Sequence, residues 1–210
     1  MKQFWLVRHG QSEGNIDKPQ AYRGAPPLTE VGWEQARQFA ASFNETPDLI
    51  VASTFIRAQQ SAEPLQARYP QTPVEIWPIQ EFTPLASKYY ENARMSARKP
   101  TFLQFFADAD PHTDNGPGSE SFAEGVQRAA ALLERLRAAP QQRIVLFSHA
   151  TFMRIVYWAW LYTHIEQSIS GMAAFGQLLH THKIPNTAYI HGHVAPNAIL
   201  LSNLQTMHLS

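Results

Sequence analysis

Short apolar runs alternate with longer amphipathic stretches along most of the chain. Residues 4–7 (FWLV), 49–52 (LIVA) and 144–147 (IVLF) are continuously apolar, as strands buried on both faces are. Residues 74–77 (VEIW), bordered by Pro73 and Pro78, read as a further strand. Between the first two runs, Thr29 suits an N-cap, and Leu28 and Trp33 are spaced for a hydrophobic staple. Trp33, Ala36, Ala40 and Phe43 then recur at helical spacing and predict one buried face. Ser53 and Thr54 offer N-caps for a helix holding Arg57, Ala58, Ser61, Ala62 and Leu65. Ser121 and Glu124 form a capping box ahead of Phe122, Val126, Ala129, Leu133 and Leu136. After the run at 144–147, Ala150 and Thr151 open another helix. The tail, from IPNTAYIHGH to NAILLSN, predicts two more strands, arranged as a hairpin at a sheet edge. Strands alternating with helices predict an α/β fold with a largely parallel, doubly wound sheet.

One stretch breaks the pattern. From Thr83 to Gly118 prolines accumulate, a basic cluster (Lys88, Arg94, Arg98, Lys99) gives way to FLQFF, and a polar DADPHTDNGPG run follows. We read 85–118 as an insertion, helical near 86–108, folded over the site within a single domain spanning 1–210. Its cations could hold a substrate tail; otherwise it is an ordinary solvated subdomain.

Composition narrows the function classes. With 44% hydrophobic and 11% aromatic residues the chain is expected to fold. Lys plus Arg equal Asp plus Glu at 17 each, which gives no general pull toward nucleic acid or anionic membrane. Any anion site must be local. There are no cysteines, so disulfides, thiol catalysis and Cys-ligated zinc are excluded. The N-terminal residues carry no secretory pattern, and the apolar helix candidate at 152–162 contains Arg154 and is too short to span a bilayer. A cytoplasmic location is the expectation.

Chemistry gathers where the strands end. The first run stops at Arg8, His9 and Gly10, and Ser12, Glu13, Gly14 and Asn15 follow as a polar loop. The carboxyl ends of parallel strands are where open α/β sheets bind ligands. Arg57 falls in the first turns of a helix after the second strand, against the macrodipole; a bound anion would reward that placement. Glu81 follows the third strand, and Ser148–His149 end the fourth. A neutral imidazole is a competent nucleophile near neutrality, since its ordinary pKa is roughly 6.5. A backbone carbonyl near Gly10 could fix its tautomer. Arginines match phosphoryl oxygens, as do a second imidazole and N–H groups at the helix start by Ala150. A carboxyl group can protonate a leaving alkoxide and then activate water.

RHGQSEGN resembles the first motif of the histidine phosphatase superfamily, also called the phosphoglycerate mutase-like family. The resemblance implies a three-layer fold of that type, with helices on both faces of a mostly parallel sheet. It implies that His9 is the phosphorylated nucleophile, that Arg8 and Asn15 are phosphate ligands, and that Ser12 joins them. PLTEVGWEQA is similar to the segment after the phosphate loop, with Arg23 and Gly24 just upstream where relatives meet substrate. STFIRAQQSA is similar to the motif that supplies the second arginine, here Arg57. QEFTPL resembles the acid/base segment of phosphatase members, which points to Glu81; Glu75, Glu91 and Glu120 stay as alternatives. GSESFAE and IVLFSHA resemble the later motifs, with His149 the second histidine. Two positions depart from the pattern. Ala150 stands where Gly is usual, with modest steric consequences expected, and GAPPLTE lacks a common acidic residue.

The reading is a metal-independent phosphatase acting through phosphohistidine on a small phosphorylated molecule, with no cofactor. A mutase sharing the chemistry is one alternative, and a phosphate-binding module without turnover is another. His180/His182 and His191/His193 form two His-x-His pairs that alternate strand geometry could turn into a chelate. We read them as surface or edge-strand histidines and expect no metal. Asn186 reads as a turn residue near the site. Sugar phosphates, small metabolites, nucleotides and phosphoproteins present the same dianion. Their other ends would meet Arg23, the insertion and the Tyr89–Tyr90 pair. The sequence sets neither substrate nor oligomeric state.

Overall fold

The computed structural model describes residues 1–19, 21–22, 24–108, 110–161, 169–181, 183–195 and 198–206. A six-stranded sheet runs in the order β3-β2-β4-β1-β5-β6. The strands are β1 (Lys2–Arg8), β2 (Leu49–Ser53), β3 (Val74–Trp77), β4 (Arg143–Ser148), β5 (Tyr189–Ala195) and β6 (Ala198–Gln205). The first four pair in parallel, and β5 and β6 add antiparallel at one edge. The helices are α1 (Glu30–Ser42), α2 (Ile56–Arg68), α3 (Met95–Asp108), α4 (Phe122–Ala138), α5 (Ala150–Leu161) and α6 (Ile169–Thr181). None of the described helices is long and apolar enough to cross a membrane.

The continuous apolar runs have a physical cause. Side chains alternate across a strand, and both faces of this sheet are covered. Phe4, Leu6, Leu49, Val51, Ile144 and Leu146 pack against Phe122, Ala129, Phe152 and Phe175 of α4, α5 and α6. Trp5, Val7, Ile50, Ala52, Val145 and Phe147 pack on the other face against Phe39, Ala40, Ala58 and Leu65 of α1 and α2. Each fully buried Phe or Leu contributes roughly 1.5–3 kcal/mol, so the six strand positions on each face outweigh any single cap or ion pair.

Local signals behave as their chemistry requires, with a few differences. Thr29 caps α1 by accepting from Gly32 N, and the Ser121–Glu124 capping box is formed in both directions. On α1 the buried large residue is Phe39, and Trp33 is half-buried. Helix α2 starts one residue later than its hydroxyls suggest. Phe55 occupies the cap position, because Ser53 Oγ accepts from Phe55 N and also meets a histidine. Within 85–118 the chain forms a 3₁₀ turn, Ser87–Tyr89, and then α3. Helix α6 is an addition to the expected elements. It places His180 in a helix, which removes the alternating-strand argument for His180 and His182; His182 lies outside the described residues. His191 and His193 do alternate on β5. Their rings lie 4.5 Å apart, and His191 stacks on Trp5. Among the described residues no group of three or more His, Cys, Asp or Glu is placed to hold a metal ion.

Candidate active site

Parallel pairing of β1 with β4 creates the centre of the site. The register sets Arg8 opposite Ser148, and His9 N donates to Ser148 O at 2.9 Å. The next residues, His9 and His149, therefore emerge side by side with ring centroids 5.0 Å apart. Both are buried. Gly10 follows because the chain must cross α1 closely: a Cβ there would strike the Gly32 carbonyl. Gly10 does not take a positive φ, so close approach is the reason for glycine, not unusual backbone angles.

His9 is held at both ring nitrogens. Nδ1 lies 2.7 Å from the Gly10 carbonyl oxygen and so carries the proton that donates to it. Nε2 then keeps its lone pair, which accepts from Arg57 Nε at 3.1 Å. Ser61 ties the two segments together, since its Oγ accepts from Gly10 N and donates to the Arg57 carbonyl. Burial, with Arg57 and Arg8 adding to it, holds the His9 imidazole well below its ordinary pKa, against the hydrogen bond to Gly10. Burial does the same to His149, helped by Arg57, His9 and Arg8. Both rings are therefore neutral at neutral pH.

Ser53 Oγ lies 2.7 Å from His149 Nε2 while accepting from Phe55 N. That arrangement suits a hydroxyl proton given to Nε2 and a ring proton on Nδ1. Among the described residues, His149 Nδ1 is buried without a hydrogen-bond partner, as is Arg8 Nε. Unpaired buried donors are costly, and two beside the His9 ring suit an anion. Burial lowers Arg8 to about 10, opposed by Glu81 and aided by Arg154. Burial lowers Arg57 to about 10 as well, again opposed by Glu81. Both guanidiniums stay charged at neutral pH.

The loop after His9 forms a 3₁₀ turn, Glu13–Ile16, capped by Ser12. Asn15 Oδ1 accepts from Ser12 N, Ser12 Oγ and Asn186 Nδ2. Asn186 Nδ2 also donates to the His9 carbonyl at 2.9 Å, so the expected turn residue fastens the backbone of His9.

Glu81 lines the same cavity as His9. Its Oε1 accepts from Phe82 N and Phe152 N at 3.0 and 2.9 Å, and its Oε2 from Thr151 N at 3.2 Å. Two of those donors belong to the first turn of α5. The helix start by Ala150 was expected to offer its N–H groups to phosphate; those of Thr151 and Phe152 are taken by this carboxylate instead, because it reaches the same positive end first. Ala150 itself is half-buried against the core, which accommodates its methyl group.

Arg8, His9, Ser12, Asn15, Arg57 and Glu81 all line one cavity of about 520 Å³. Glu81 is the one carboxylate among its described lining residues. The alternatives are engaged elsewhere or exposed. Glu75 accepts from Trp77 Nε1, Glu120 pairs with Arg128 and accepts from Thr83 N, and Glu91 is exposed. Gly24 is buried against the side chains of Phe55 and Tyr22 and does not line the cavity. Arg23 lies outside the described residues. Of the tyrosine pair, Tyr90 lines the cavity, with Arg98 over its ring at 4.6 Å. Sequence reasoning missed Arg154 and Lys183 as cavity residues and Ser53 as a partner of His149. Arg154 had a signal: it follows His149 by five residues, just over one helical turn past the start of α5.

A buried imidazole with a presented lone pair, two arginines, a second imidazole and a carboxylate in the same cavity wall are an arrangement that suits phosphoryl transfer. The chain belongs to the histidine phosphatase superfamily (branch 1), whose model matches residues 4–174. It is 28% identical over 158 residues to the adenosylcobalamin/alpha-ribazole phosphatase of Escherichia coli, covering 70% of this chain and 72% of that protein. Among solved structures, the phosphoserine phosphatase of Entamoeba histolytica superposes with a TM-score of 0.75 at 21% identity, with all of both chains covered. The alpha-ribazole phosphatase of Shigella flexneri gives a TM-score of 0.71 at 20% identity, covering 97% of this chain and 96% of that one. These likenesses establish the phosphoglycerate mutase-like fold.

Proposed function

We propose that the protein is a metal-independent phosphatase that hydrolyses a small phosphomonoester through a phosphohistidine at His9. The observation that carries this reading is the His9 ring itself, with Nδ1 fixed on the Gly10 carbonyl and the Nε2 lone pair presented to Arg57. In the reaction, Nε2 attacks phosphorus and the ester P–O bond breaks. The leaving alkoxide takes a proton from Glu81. The Glu81 carboxylate then removes a proton from water, the hydroxide attacks phosphorus, and the P–N bond breaks to release inorganic phosphate. Arg57 turns its Nε–H from Nε2 to a phosphoryl oxygen as the ester arrives. Arg8, Asn15 and the unpaired Nδ1 of His149 receive the other oxygens.

The outer cavity favours a small anionic metabolite. Arg98, Lys99, Arg154 and Lys183 supply positive charge there, and Tyr90 and Phe102 supply flat apolar surface. We read 85–118 as a cap over this end of a single domain. Phosphoserine and the 5′-phosphate of α-ribazole, suggested by the names of the relatives, are the first substrates to try.

The test is phosphate release from para-nitrophenyl phosphate and those two esters, with chelator present, by wild type and His9→Ala. Turnover by the wild type and none by His9→Ala is expected, together with an acid-labile phosphoryl label on the wild type alone. Label passed to a second ester without phosphate release would make the protein a mutase. Phosphate binding with neither label nor turnover would make it a binding module.

A further inference from the structure

We propose that Asp17 is a positioning residue that clasps the first turn of α3 to the phosphate loop and so sets how firmly the outer cavity holds the non-phosphate part of the substrate. This rests on the phosphatase reading above. Asp17 closes the 3₁₀ turn that carries Asn15. Its backbone lies in the left-handed region at φ 59°, and its N–H returns to the Glu13 carbonyl. It then reaches a segment almost eighty residues away in sequence. Oδ1 accepts from Ser96 N at 2.8 Å, Oδ2 accepts from Ser96 Oγ at 2.7 Å, and the Asp17 carbonyl accepts from Arg94 Nη1 at 2.9 Å. The carboxylate thus does for α3 what an N-cap side chain does from within a helix. The Ser96 N–H and hydroxyl keep the Asp17 carboxyl below its ordinary range, so the clasp is charged at neutral pH.

Two features make that clasp consequential. Met95, Arg98, Lys99, Phe102 and Leu103 all line the cavity, and their spacing is that of one helix face. The orientation of α3 therefore decides where Arg98 and Lys99 stand. In addition, Pro100 lies inside α3 and has no N–H, so the helical bond it would make to the Ser96 carbonyl is absent. The far end of α3 is secured by Phe105 and Phe106 in the core. Its first turn is joined less well to the rest of its own helix and is tied to the phosphate loop by Asp17.

The experiment compares Asp17→Gly, Asp17→Asn and wild type. Glycine tolerates the positive φ and removes the carboxylate; asparagine tolerates it and keeps an acceptor for Ser96 N. With whichever of phosphoserine and α-ribazole 5′-phosphate is turned over, KM is expected to rise about fivefold in Asp17→Gly, with kcat within about twofold. Para-nitrophenyl phosphate, whose aryl group carries neither the carboxylate of phosphoserine nor the hydroxyls of the riboside for the face of α3 to hold, should keep its kcat/KM, and Asp17→Asn should restore most of the loss. Amide hydrogen exchange should quicken at 97–103 and stay unchanged at 12–16. Equal losses on both kinds of ester would overturn the proposal, since they would mean damage to the phosphate loop itself. Unchanged KM, or unchanged exchange at 97–103, would overturn it too. A wild type inactive on every ester would instead defeat the phosphatase reading, and exchange at 97–103 would still decide whether the clasp exists.

Discussion

Arg57 Nε donates to His9 Nε2 at 3.1 Å, so a fixed cation rests on the lone pair that attacks phosphorus in the mechanism we propose. The contact does three things at once. It selects the Nδ1–H tautomer, it opposes protonation of the ring, and in the proposed reaction it stores a donor for an incoming phosphoryl oxygen. Lysine cannot reproduce it. An ammonium is a compact, heavily hydrated charge without a planar fork, whereas Arg57 also lies 4.9 Å from the Phe55 ring. Arg57→Lys is expected to lower kcat on para-nitrophenyl phosphate by about 10²–10³ while the fold persists by circular dichroism. A loss under tenfold would remove Arg57 from the transition state.

The second histidine depends on a hydroxyl. Ser53 Oγ is the described partner of His149 Nε2, at 2.7 Å. Without it the His149 ring can exchange tautomers, and Nδ1 no longer reliably presents the proton that the proposed mechanism gives to phosphate. Ser53→Ala is expected to lower kcat by roughly 5–30-fold, the worth of one or two kcal/mol. Ser53→Thr, which keeps the hydroxyl, should recover part of it. A phosphorus-linked pH profile measured on both variants separates this from simple destabilisation, because only the alanine form should shift its acidic limb.

Much of this site could be read from strand ends. Buried parallel strands are apolar throughout, so the step from Val7 to Arg8–His9 and from Phe147 to Ser148–His149 marks where the sheet stops and the ligand edge begins. What escaped are functions shared by one atom. Ser53 has the composition of an N-cap, and its hydroxyl does bind Phe55 N, yet the same oxygen serves His149. Asp17 looks like a loop residue because its partner, Ser96, lies in another segment. Helix α6 escaped because its sequence, ISGMAAFGQLLHT, is apolar on nearly every side and lacks the polar stripe that makes a surface helix recognisable.

In the proposed mechanism Glu81 carries the heaviest chemical burden on the smallest sequence signal. Its oxygens are oriented by three backbone N–H groups, from Phe82, Thr151 and Phe152. Glutamine retains one acceptor but turns an NH₂ group toward those donors, and it cannot give up a proton. For alkyl phosphates, whose leaving alkoxide needs that proton, Glu81→Gln should lower kcat/KM by about 10²–10⁴. For para-nitrophenyl phosphate, whose phenolate leaves unaided, the first step should survive and the phosphohistidine should accumulate, because water is no longer activated. Trapping that intermediate on Glu81→Gln by rapid quench into alkali, where a phosphohistidine survives, checks the assignment. Equal slowing of both esters with no accumulation would return the acid to another carboxylate.

Burying two neutral imidazoles gives the fold a pH dependence whose sign can be stated. His9 and His149 both titrate well below the ordinary value of 6.5, chiefly through burial. Above that value neither the folded nor the unfolded chain protonates them, so their contribution is constant. Below it the unfolded chain binds protons that the folded chain refuses, and stability falls as pH drops toward the folded pKa values. Each ring adds a slope of about 1.4 kcal/mol per pH unit within that window. Thermal melts taken from about pH 7.5 to about pH 5 should show a falling midpoint in the wild type. The fall should be shallower in His149→Gln and shallower still when His9→Gln is added. Since the comparison is one of slopes, a variant that is less stable at every pH still answers the question. Parallel slopes in all three proteins would mean that other groups, such as the exposed carboxylates, set the acid limit.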